Sequence, residues 1–197
     1  MLLVASHRGG VGKTTTTLNL AAGLGGRGHR VLVVDADPNG SVAAALGIEQ
    51  VAQRGLERAA AGERSVVVRS VLPGVDVLPN RADDFHQEQR LSTWLDGLRT
   101  RLGSDYDRIL VDSCPYQGAR SRDLWAAVDE LVLVMRAEAV SWRTLPDLLK
   151  NLARLADVGL APDLRGLVLT RAPGRTGPCR WEEAIRTRVG DLVLPGA

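Results

Sequence analysis

The stretch SHRGGVGKTTTT, residues 6–17, combines closely spaced glycines with a Gly-Lys-Thr triplet. The standard phosphate-loop pattern is Gly, four residues and then Gly-Lys-Ser/Thr. That pattern would place its first glycine at position 7, where this chain has His7. Instead, the glycine pair Gly9 and Gly10 follows Arg8. The stretch is therefore either a glycine-rich turn or a phosphate loop of another design.

The segments on both sides of this stretch favour a phosphate loop. Residues 2–6 predict a strand and residues 14–27 predict a helix, so the glycines lie in a strand-to-helix turn. In that context, backbone N–H groups and the helix N-terminus face an anion, and glycines let the backbone approach it. Lys13 would contact the β- and γ-phosphates, and the Thr14 hydroxyl would bind Mg²⁺. The alternative is a glycine-rich turn with a lone lysine.

The rest of the chain alternates short apolar runs with longer amphipathic segments. Predicted strands cover 2–6, 30–35, 75–79, 108–112, 130–135 and 165–170, and predicted helices cover 14–27, 83–102, 119–128, 142–157 and 180–189. Unbroken Val/Leu runs are typical of parallel strands covered on both faces. The alternation predicts an α/β fold, a doubly wound and mostly parallel sheet with helices on both faces, in a single domain. Residues 49–72 are the least clear segment, with helical composition followed by strand composition.

Composition is that of an ordinary globular protein. The chain has 197 residues, of which 45% are hydrophobic and 24% charged, and its formal net charge of +2 is too small to indicate nucleic acid by itself. Two cysteines, Cys114 and Cys179, do not suggest a disulfide framework and fit a reducing cytoplasm. The start MLLVASH predicts a strand instead of a signal peptide, and no apolar run reaches the length of a membrane span. We therefore expect a cytoplasmic protein without membrane contact.

Residues 8–15, Arg-Gly-Gly-Val-Gly-Lys-Thr-Thr, resemble the deviant Walker A motif of the ParA/MinD family of P-loop ATPases. The resemblance implies that the nucleotide is bound by Arg8, Gly9, Gly10, Val11, Gly12, Lys13, Thr14 and Thr15. It also implies that Arg8, where the family usually has lysine, crosses a dimer interface to touch the partner's nucleotide. Arginine keeps the positive charge but offers a planar fork of donors in place of a point charge.

Two further segments carry the resemblance. VVDADPNGS, residues 33–41, is similar to the family's switch segment, which implies that Asp37 positions the attacking water and Asp35 supports Mg²⁺. YDRILVDSCP, residues 106–115, is similar to the family's Walker B strand, which implies that Asp112 holds Mg²⁺ directly or through water. Taken from its residues alone, the first segment also fits a strand-end turn that uses Asp, Pro, Asn and Gly for geometry.

Arginines are frequent in the last third of the chain, within residues 170–190. They are Arg171, Arg175, Arg180, Arg186 and Arg188. ParA-type ATPases contact DNA without sequence preference through basic residues, partly in this region, so the resemblance implies a DNA-contacting surface. The alternative is a solvated helix face with ion pairs four residues apart, such as Glu182 with Arg186.

The resemblance covers residues 1–197 as one ParA-like ATPase domain, with two departures. The sequence stops at DLVLPGA, residues 191–197, so we expect a domain without the relatives' usual C-terminal helices. The strand predicted at 165–170 ends in Thr170-Arg171, where many relatives have asparagine or another short polar residue. Both departures concern the side of the site that would hold adenine.

Together, the motifs imply an ATPase that hydrolyses ATP with Mg²⁺ and forms a homodimer when ATP is bound. The implied role is plasmid or chromosome partition, or positioning of another cargo on DNA, in the cytoplasm and at the nucleoid. The implied partners are non-specific DNA and a ParB-like DNA-binding protein. Two alternatives stay open: an ATP-dependent ligase of the dethiobiotin or cobyrinate synthase type, and a nucleotide-binding regulator that does not hydrolyse ATP.

Overall fold

The computed structural model describes residues 1–37, 39–48, 55–80, 91–115, 118–170 and 180–195. The strands of these residues are β1 (Leu2–Ala5), β2 (Val31–Ala36), β3 (Val68–Leu72), β4 (Val75–Leu78), β5 (Arg108–Ser113), β6 (Glu130–Arg136) and β7 (Asp163–Thr170). The α-helices are α1 (Lys13–Gly25), α2 (Ser41–Leu46), α3 (Gly55–Ala60), α4 (Leu91–Leu102), α5 (Ala119–Ala126), α6 (Ala139–Ala156) and α7 (Arg180–Val189).

The strands form a single seven-stranded sheet in the order β3-β4-β2-β5-β1-β6-β7. All neighbouring pairs are parallel except β3 with β4. The predicted doubly wound, mostly parallel sheet is confirmed. Because β1 lies between β5 and β6, the loop after β1 leaves the sheet at its centre. In open parallel sheets, ligands bind at the carboxyl ends of such central strands.

The unbroken apolar runs follow from burial on both faces of the sheet. All six residues of β2 are buried. Leu32 and Val34 belong to the main core cluster, whereas Val31 and Val33 pack in a second cluster with Ala21 of α1. Successive strand residues point to opposite faces, so both sets must be apolar. Each such buried side chain contributes about 1.5–3 kcal/mol relative to exposure.

The predicted elements agree with the observed ones to within a few residues, with three differences. The helix predicted at 83–102 is observed at Leu91–Leu102, and residues 81–90 lie outside the described part. The unclear segment at 49–72 contains α3 and the antiparallel edge strand β3, while residues 49–54 are also outside the described part. Helix α2, only six residues long, was not predicted. A helix this short has too few residues to show a helical repeat.

Helix α1 is anchored by a backbone contact at its C-terminal end. A Cβ atom on Gly25, the last residue of α1, would lie 2.2 Å from the carbonyl oxygen of Pro73. Only glycine allows this approach, which holds α1 against the turn between β3 and β4. The opposite end of α1 is thereby placed at the carboxyl edge of the sheet. Within the described residues, none of the helices is both long and apolar enough to cross a membrane.

Candidate nucleotide-binding site

A cavity of about 990 Å³ opens at the carboxyl edge of the sheet, a size typical of small-molecule sites. Its wall contains residues 9–16, from the loop after β1 and the first turn of α1. Asp37 and Ser41, which follow β2, and Thr170, the last residue of β7, complete much of the lining. The structure thus brings the glycine loop and the segment after β2 to one cavity.

The loop conformation depends on two glycines. Gly10 has φ +67° and Gly12 has φ +100°, a region that other L-residues rarely adopt. Gly12 is also the N-cap of α1, and the first turn of this helix contains no acidic residue. The partial positive charge of the helix N-terminus therefore faces the cavity without a carboxylate from its own first turn.

Lys13 is buried, with 7% of its surface exposed, although it lines the cavity. Burial lowers the pKa of this ammonium group, and the negative charges of Asp112 and Asp37 oppose that shift. A buried cation interacts more strongly with an anion than an exposed one does, because the local dielectric constant is lower. Lys13 is therefore suited to bind a phosphate.

Asp112, the fifth residue of β5, is fully buried beside the start of α1. Its Oδ2 accepts a hydrogen bond of 2.6 Å from Thr14, and its Oδ1 accepts one of 3.2 Å from Thr17. Burial raises the pKa of Asp112 to about 6, against the opposing hydrogen bonds and the charge of Lys13. Mg²⁺ prefers such oxygen ligands and is commonly held by one or two carboxylates plus substrate phosphates. Asp112 and Thr14 fit that ion.

The two aspartates after β2 occupy different environments. Asp35 is fully buried, and its carboxylate accepts the backbone N–H groups of Asp37 at 3.0 Å and Val42 at 2.9 Å. Burial raises the pKa of Asp35 to about 7 despite these bonds. Asp37 lines the cavity, and its Oδ1 accepts both the backbone and the side-chain N–H of Asn39. Asp35 thus fixes the turn between β2 and α2, while Asp37 faces the cavity.

Arg8, the basic residue of the loop, is bound within its own chain. Its Nη1 lies 3.3 Å from Oε1 of Glu138, the residue before α6, and its side chain remains 53% exposed. The structure therefore places Arg8 at the solvent side of the loop, in an ion pair that the sequence did not predict.

Three polar residues of the site were not predicted to act there. Arg136 donates a 2.5 Å hydrogen bond to the carbonyl oxygen of Gly10, and Thr170 donates one of 2.5 Å to that of Val11. Arg136 and Thr170 reach the loop because they end β6 and β7, the two strands that lie on one side of β1. Thr17 lies three residues after Thr14, and this spacing places both hydroxyls on the helix face towards Asp112.

The described arginines of α7 make contacts within the chain. Arg186 Nε lies 3.0 Å from Glu182 Oε1, the ion pair that the helical spacing predicts. The guanidinium carbon of Arg188 lies 4.7 Å from the ring centre of Trp142 on α6, and that of Arg180 lies 4.2 Å from the ring centre of Trp181. The remaining two arginines of the predicted DNA surface, Arg171 and Arg175, lie outside the described residues.

Comparison with known proteins is consistent with this geometry. A family model described as an AAA domain matches residues 1–165. The chain is 34% identical to the chromosome partitioning protein ParA of Caulobacter vibrioides and 34% identical to the chromosome-partitioning ATPase Soj of Thermus thermophilus, and each alignment covers 98% of this chain and 78% of the relative. Cobyrinic acid a,c-diamide synthase of Mycobacterium smegmatis, solved with ADP and magnesium, shares the fold at a TM-score of 0.83 and 23% identity, over 100% of this chain and 84% of that one.

Proposed function

The chain belongs to the ParA-type P-loop ATPases, and from that premise we propose that it binds ATP with Mg²⁺ and hydrolyses it to ADP and phosphate. The observation that carries the proposal is that the segments after β1 and after β2 line one cavity, and that Asp112 at the end of β5 accepts a hydrogen bond from Thr14 in the wall of that cavity. Each segment supplies the group that phosphoryl transfer needs: an anion cradle, a water-positioning carboxylate and a carboxylate for the metal ion.

The reaction proposed is attack of water on the γ-phosphate. The N–H groups of residues 9–15 and the buried Lys13 ammonium would bind the phosphates and stabilise charge that develops on the transferred group. Thr14 and Asp112 would hold Mg²⁺, which supplies further charge neutralisation when bound. Asp37 would orient the water: Asn39 occupies its Oδ1, and its Oδ2, whose hydrogen bond from the Ser41 hydroxyl is long at 3.5 Å, is the acceptor proposed for the water proton. Asp35 would support the site by holding the backbone of Asp37.

We also propose that ATP drives homodimer formation through Arg8. The ion pair of Arg8 with Glu138 is largely exposed, and exposed pairs contribute about 0–1 kcal/mol. A charge-assisted bond to a triphosphate oxygen of a second subunit is stronger. Arg8 would therefore exchange Glu138 for the partner's nucleotide when two ATP-bound subunits meet.

Sedimentation of the chain with ATP and Mg²⁺ tests this dimer. Arg8→Ala should bind ATP as a monomer with near-normal affinity but stay monomeric, and turnover should fall with dimerisation. Arg8→Lys should recover dimerisation if only positive charge is needed, and should not if the planar fork is needed. An Arg8→Ala protein that dimerises with ATP as the unchanged protein does would remove Arg8 from the interface.

The names of the relatives favour chromosome partition as the role. We propose non-specific DNA and a ParB-like DNA-binding protein as partners, and the nucleoid in the cytoplasm as the place of action. The DNA surface proposed includes Arg186, whose side chain is 40% exposed beside Glu182, and Arg188, which is exposed beside Trp142. The ATP form should bind duplex DNA without sequence preference, with a log–log salt slope of about −0.9 per phosphate neutralised.

Charge reversal distinguishes DNA binding by this surface from attraction of DNA by the net charge of the protein. Changing Arg186 and Arg188 to Glu should weaken DNA binding equally on all sequences. The control, matched in its change of net charge, combines Arg101→Glu and Arg108→Glu, two exposed arginines in α4 and at the start of β5. Equal losses in both variants, or a salt-independent affinity, would contradict a DNA surface on α7.

A ligase is the second candidate, because the fold of this chain matches that of cobyrinic acid a,c-diamide synthase with a TM-score of 0.83. The turnover assay separates the two functions. A ParA-type ATPase hydrolyses ATP with Mg²⁺ alone and is stimulated by DNA and its partner protein, whereas a ligase turns ATP over only when a carboxylate and an amine donor are present.

A further inference from the structure

The carbonyl groups of the phosphate loop are bound by side chains around it. Three of these bonds are local: Ser6 donates to the carbonyl of Arg8 at 2.6 Å, Thr16 to that of Gly12 at 2.8 Å, and Thr17 to that of Lys13 at 3.1 Å. The other two, from Arg136 to Gly10 and from Thr170 to Val11, span 126 and 159 residues of the chain.

The two long-range donors belong to the rigid sheet. Arg136 and Thr170 end adjacent strands and are direct partners in the β6–β7 register. Strand β6 in turn pairs with β1, in register through Ala5 and Leu133. The backbones of both residues are therefore fixed relative to the strand from which the loop starts.

Binding a carbonyl group also fixes the N–H group that follows it. The described peptide bonds are all trans, and in a planar trans peptide the C=O and the next N–H point in opposite directions. The bond from Arg136 to Gly10 therefore sets the direction of the Val11 N–H. The bond from Thr170 to Val11 likewise sets that of the Gly12 N–H. Both residues line the cavity.

We propose that Arg136 and Thr170 are positioning residues of the phosphate loop, which hold the carbonyls of Gly10 and Val11 outward so that the N–H groups of Val11 and Gly12 face the phosphates. The inference rests on the proposed nucleotide site, and it explains how the loop keeps its conformation before a ligand binds. Because the loop is held ready, phosphate binding loses less entropy in ordering it. The effect applies to ADP and ATP alike and does not require a dimer.

Thr170 offers a test that separates its hydroxyl group from its packing. Thr170→Val keeps the branched shape and removes the donor, whereas Thr170→Ser keeps the donor and removes the methyl group, which lies 3.4 Å from where a Cβ of Gly12 would be. If the hydroxyl positions the loop, Thr170→Val should weaken ADP and ATP binding about twofold to twelvefold, the range for one lost neutral hydrogen bond, and Thr170→Ser should restore it. The opposite order, with Ser weak and Val normal, would overturn the proposal.

Arg136 is tested by the same reasoning. Arg136→Met keeps an unbranched aliphatic chain without a donor, and Arg136→Lys keeps a cationic donor. Loss of a charged donor predicts a decrease in ADP affinity of about tenfold or more in Arg136→Met, with partial recovery in Arg136→Lys. If Arg136→Met and the wild-type protein bound ADP with equal affinity, Arg136 would be excluded from this role.

NMR order parameters of backbone N–H groups in the nucleotide-free protein give a second readout that does not depend on nucleotide binding. The Gly12 N–H should be less ordered in Thr170→Val than in Thr170→Ser, and the Val11 N–H should be less ordered in Arg136→Met than in Arg136→Lys, while the central strands should be equally ordered in all four variants. If the wild-type chain bound no nucleotide, the proposed function would fail, and the order parameters would still decide whether the two residues hold the loop. Identical order parameters within each pair of variants would contradict the proposal.

Discussion

Aspartates at the two edges of the same sheet have opposite electrostatic surroundings. At the carboxyl edge, burial raises the pKa of Asp35 to about 7 and that of Asp112 to about 6. At the amino edge, hydrogen bonds from Arg30 lower the pKa of Asp107 to about 2. Asp129, also at the amino edge, binds the N-terminal ammonium group at 2.6 Å and Arg99 at 2.9 Å. At the carboxyl edge, burial outweighs the charge of Lys13 near Asp112, whereas at the amino edge each aspartate binds a cation directly.

The difference distinguishes the two edges as places for a ligand. Burial disfavours the charged forms of Asp35 and Asp112, and perturbed groups of this kind cluster at functional sites. At the amino edge, the aspartates form exposed ion pairs with cations of the same chain. The two environments therefore favour the carboxyl edge as the place where a metal ion would bind.

Removing the one lysine of the carboxyl edge should give the largest effect. Lys13→Ala deletes a charge-assisted bond to phosphate, so ATP affinity measured by calorimetry should fall about a hundredfold or more while the melting temperature is retained. Lys150→Ala, which changes the exposed lysine of α6, is the matched control and should bind as the unchanged protein does. Normal ATP affinity in a folded Lys13→Ala protein would end the phosphate-loop assignment.

Removing the cavity-facing carboxylate should affect turnover and leave binding in place. Asp37→Ala should bind ATP but hydrolyse it at least about a hundredfold more slowly, since a positioned proton acceptor contributes about that much to rate. Phosphate release measured under saturating ATP checks this, beside Asp147→Ala, an exposed aspartate of α6. Turnover at the normal rate would move the water-positioning role away from Asp37.

Neutralising the buried acid should separate stability from function. In Asp112→Asn, Mg²⁺ should no longer strengthen ATP binding, because the anionic ligand is lost. The nucleotide-free variant should melt at the same temperature as the wild-type protein or higher, because burial disfavours the charged form of Asp112 despite the nearby Lys13. Calorimetry with and without Mg²⁺ and thermal unfolding provide both measurements. A large loss of stability would mean that Asp112 supports the fold more than the site.

At the amino edge, the smallest effect is expected. The pKa of Asp107 is lower in the folded protein than in the unfolded chain, so its ion pair with Arg30 stabilises the fold above about pH 4 and loses that effect as the pH falls towards about 2. Asp107→Asn should therefore lower the melting temperature by less than about 2 °C at pH 7, since the pair is exposed. The difference from the unchanged protein should shrink as the pH falls. A difference that grew in acid would show that the pair is not its source.

Sequence patterns predicted most of the sheet because its strands are buried on both faces. An unbroken apolar run such as β2 predicts a strand buried on both faces. The glycines at positions 10 and 12 are required because their backbone has positive φ. The glycine loop and Asp37, both singled out in the sequence, line the cavity, and Asp112 bonds to Thr14 in its wall. Each of these motifs consists of residues that are close together in the sequence, so local patterns are enough to predict it.

Contacts that depend on strand order could not be read from the sequence. The bonds of Arg136 and Thr170 to the loop require β6 and β7 to lie on a particular side of β1, and no local pattern encodes that arrangement. Likewise, the aspartates of the DADP segment look equivalent in sequence, yet Asp35 binds backbone and Asp37 faces the cavity. The sequence gives no sign that Arg186 and Arg188 of α7 differ, but their partners do: Arg186 pairs with a carboxylate, and Arg188 packs on a ring of α6.

The arginines stacked on indole rings give this chain a built-in optical reporter. Trp94 and Trp125 are buried in the core, so their emission follows folding. Trp142 and Trp181 each lie under a guanidinium group, and a polyanion that draws the arginine away changes the field at the ring. Emission that shifts on mixing with DNA, while the unfolding transition stays in place, would therefore arise at α6 and α7. A Trp142→Phe variant assigns that signal to Arg188 without any attached dye.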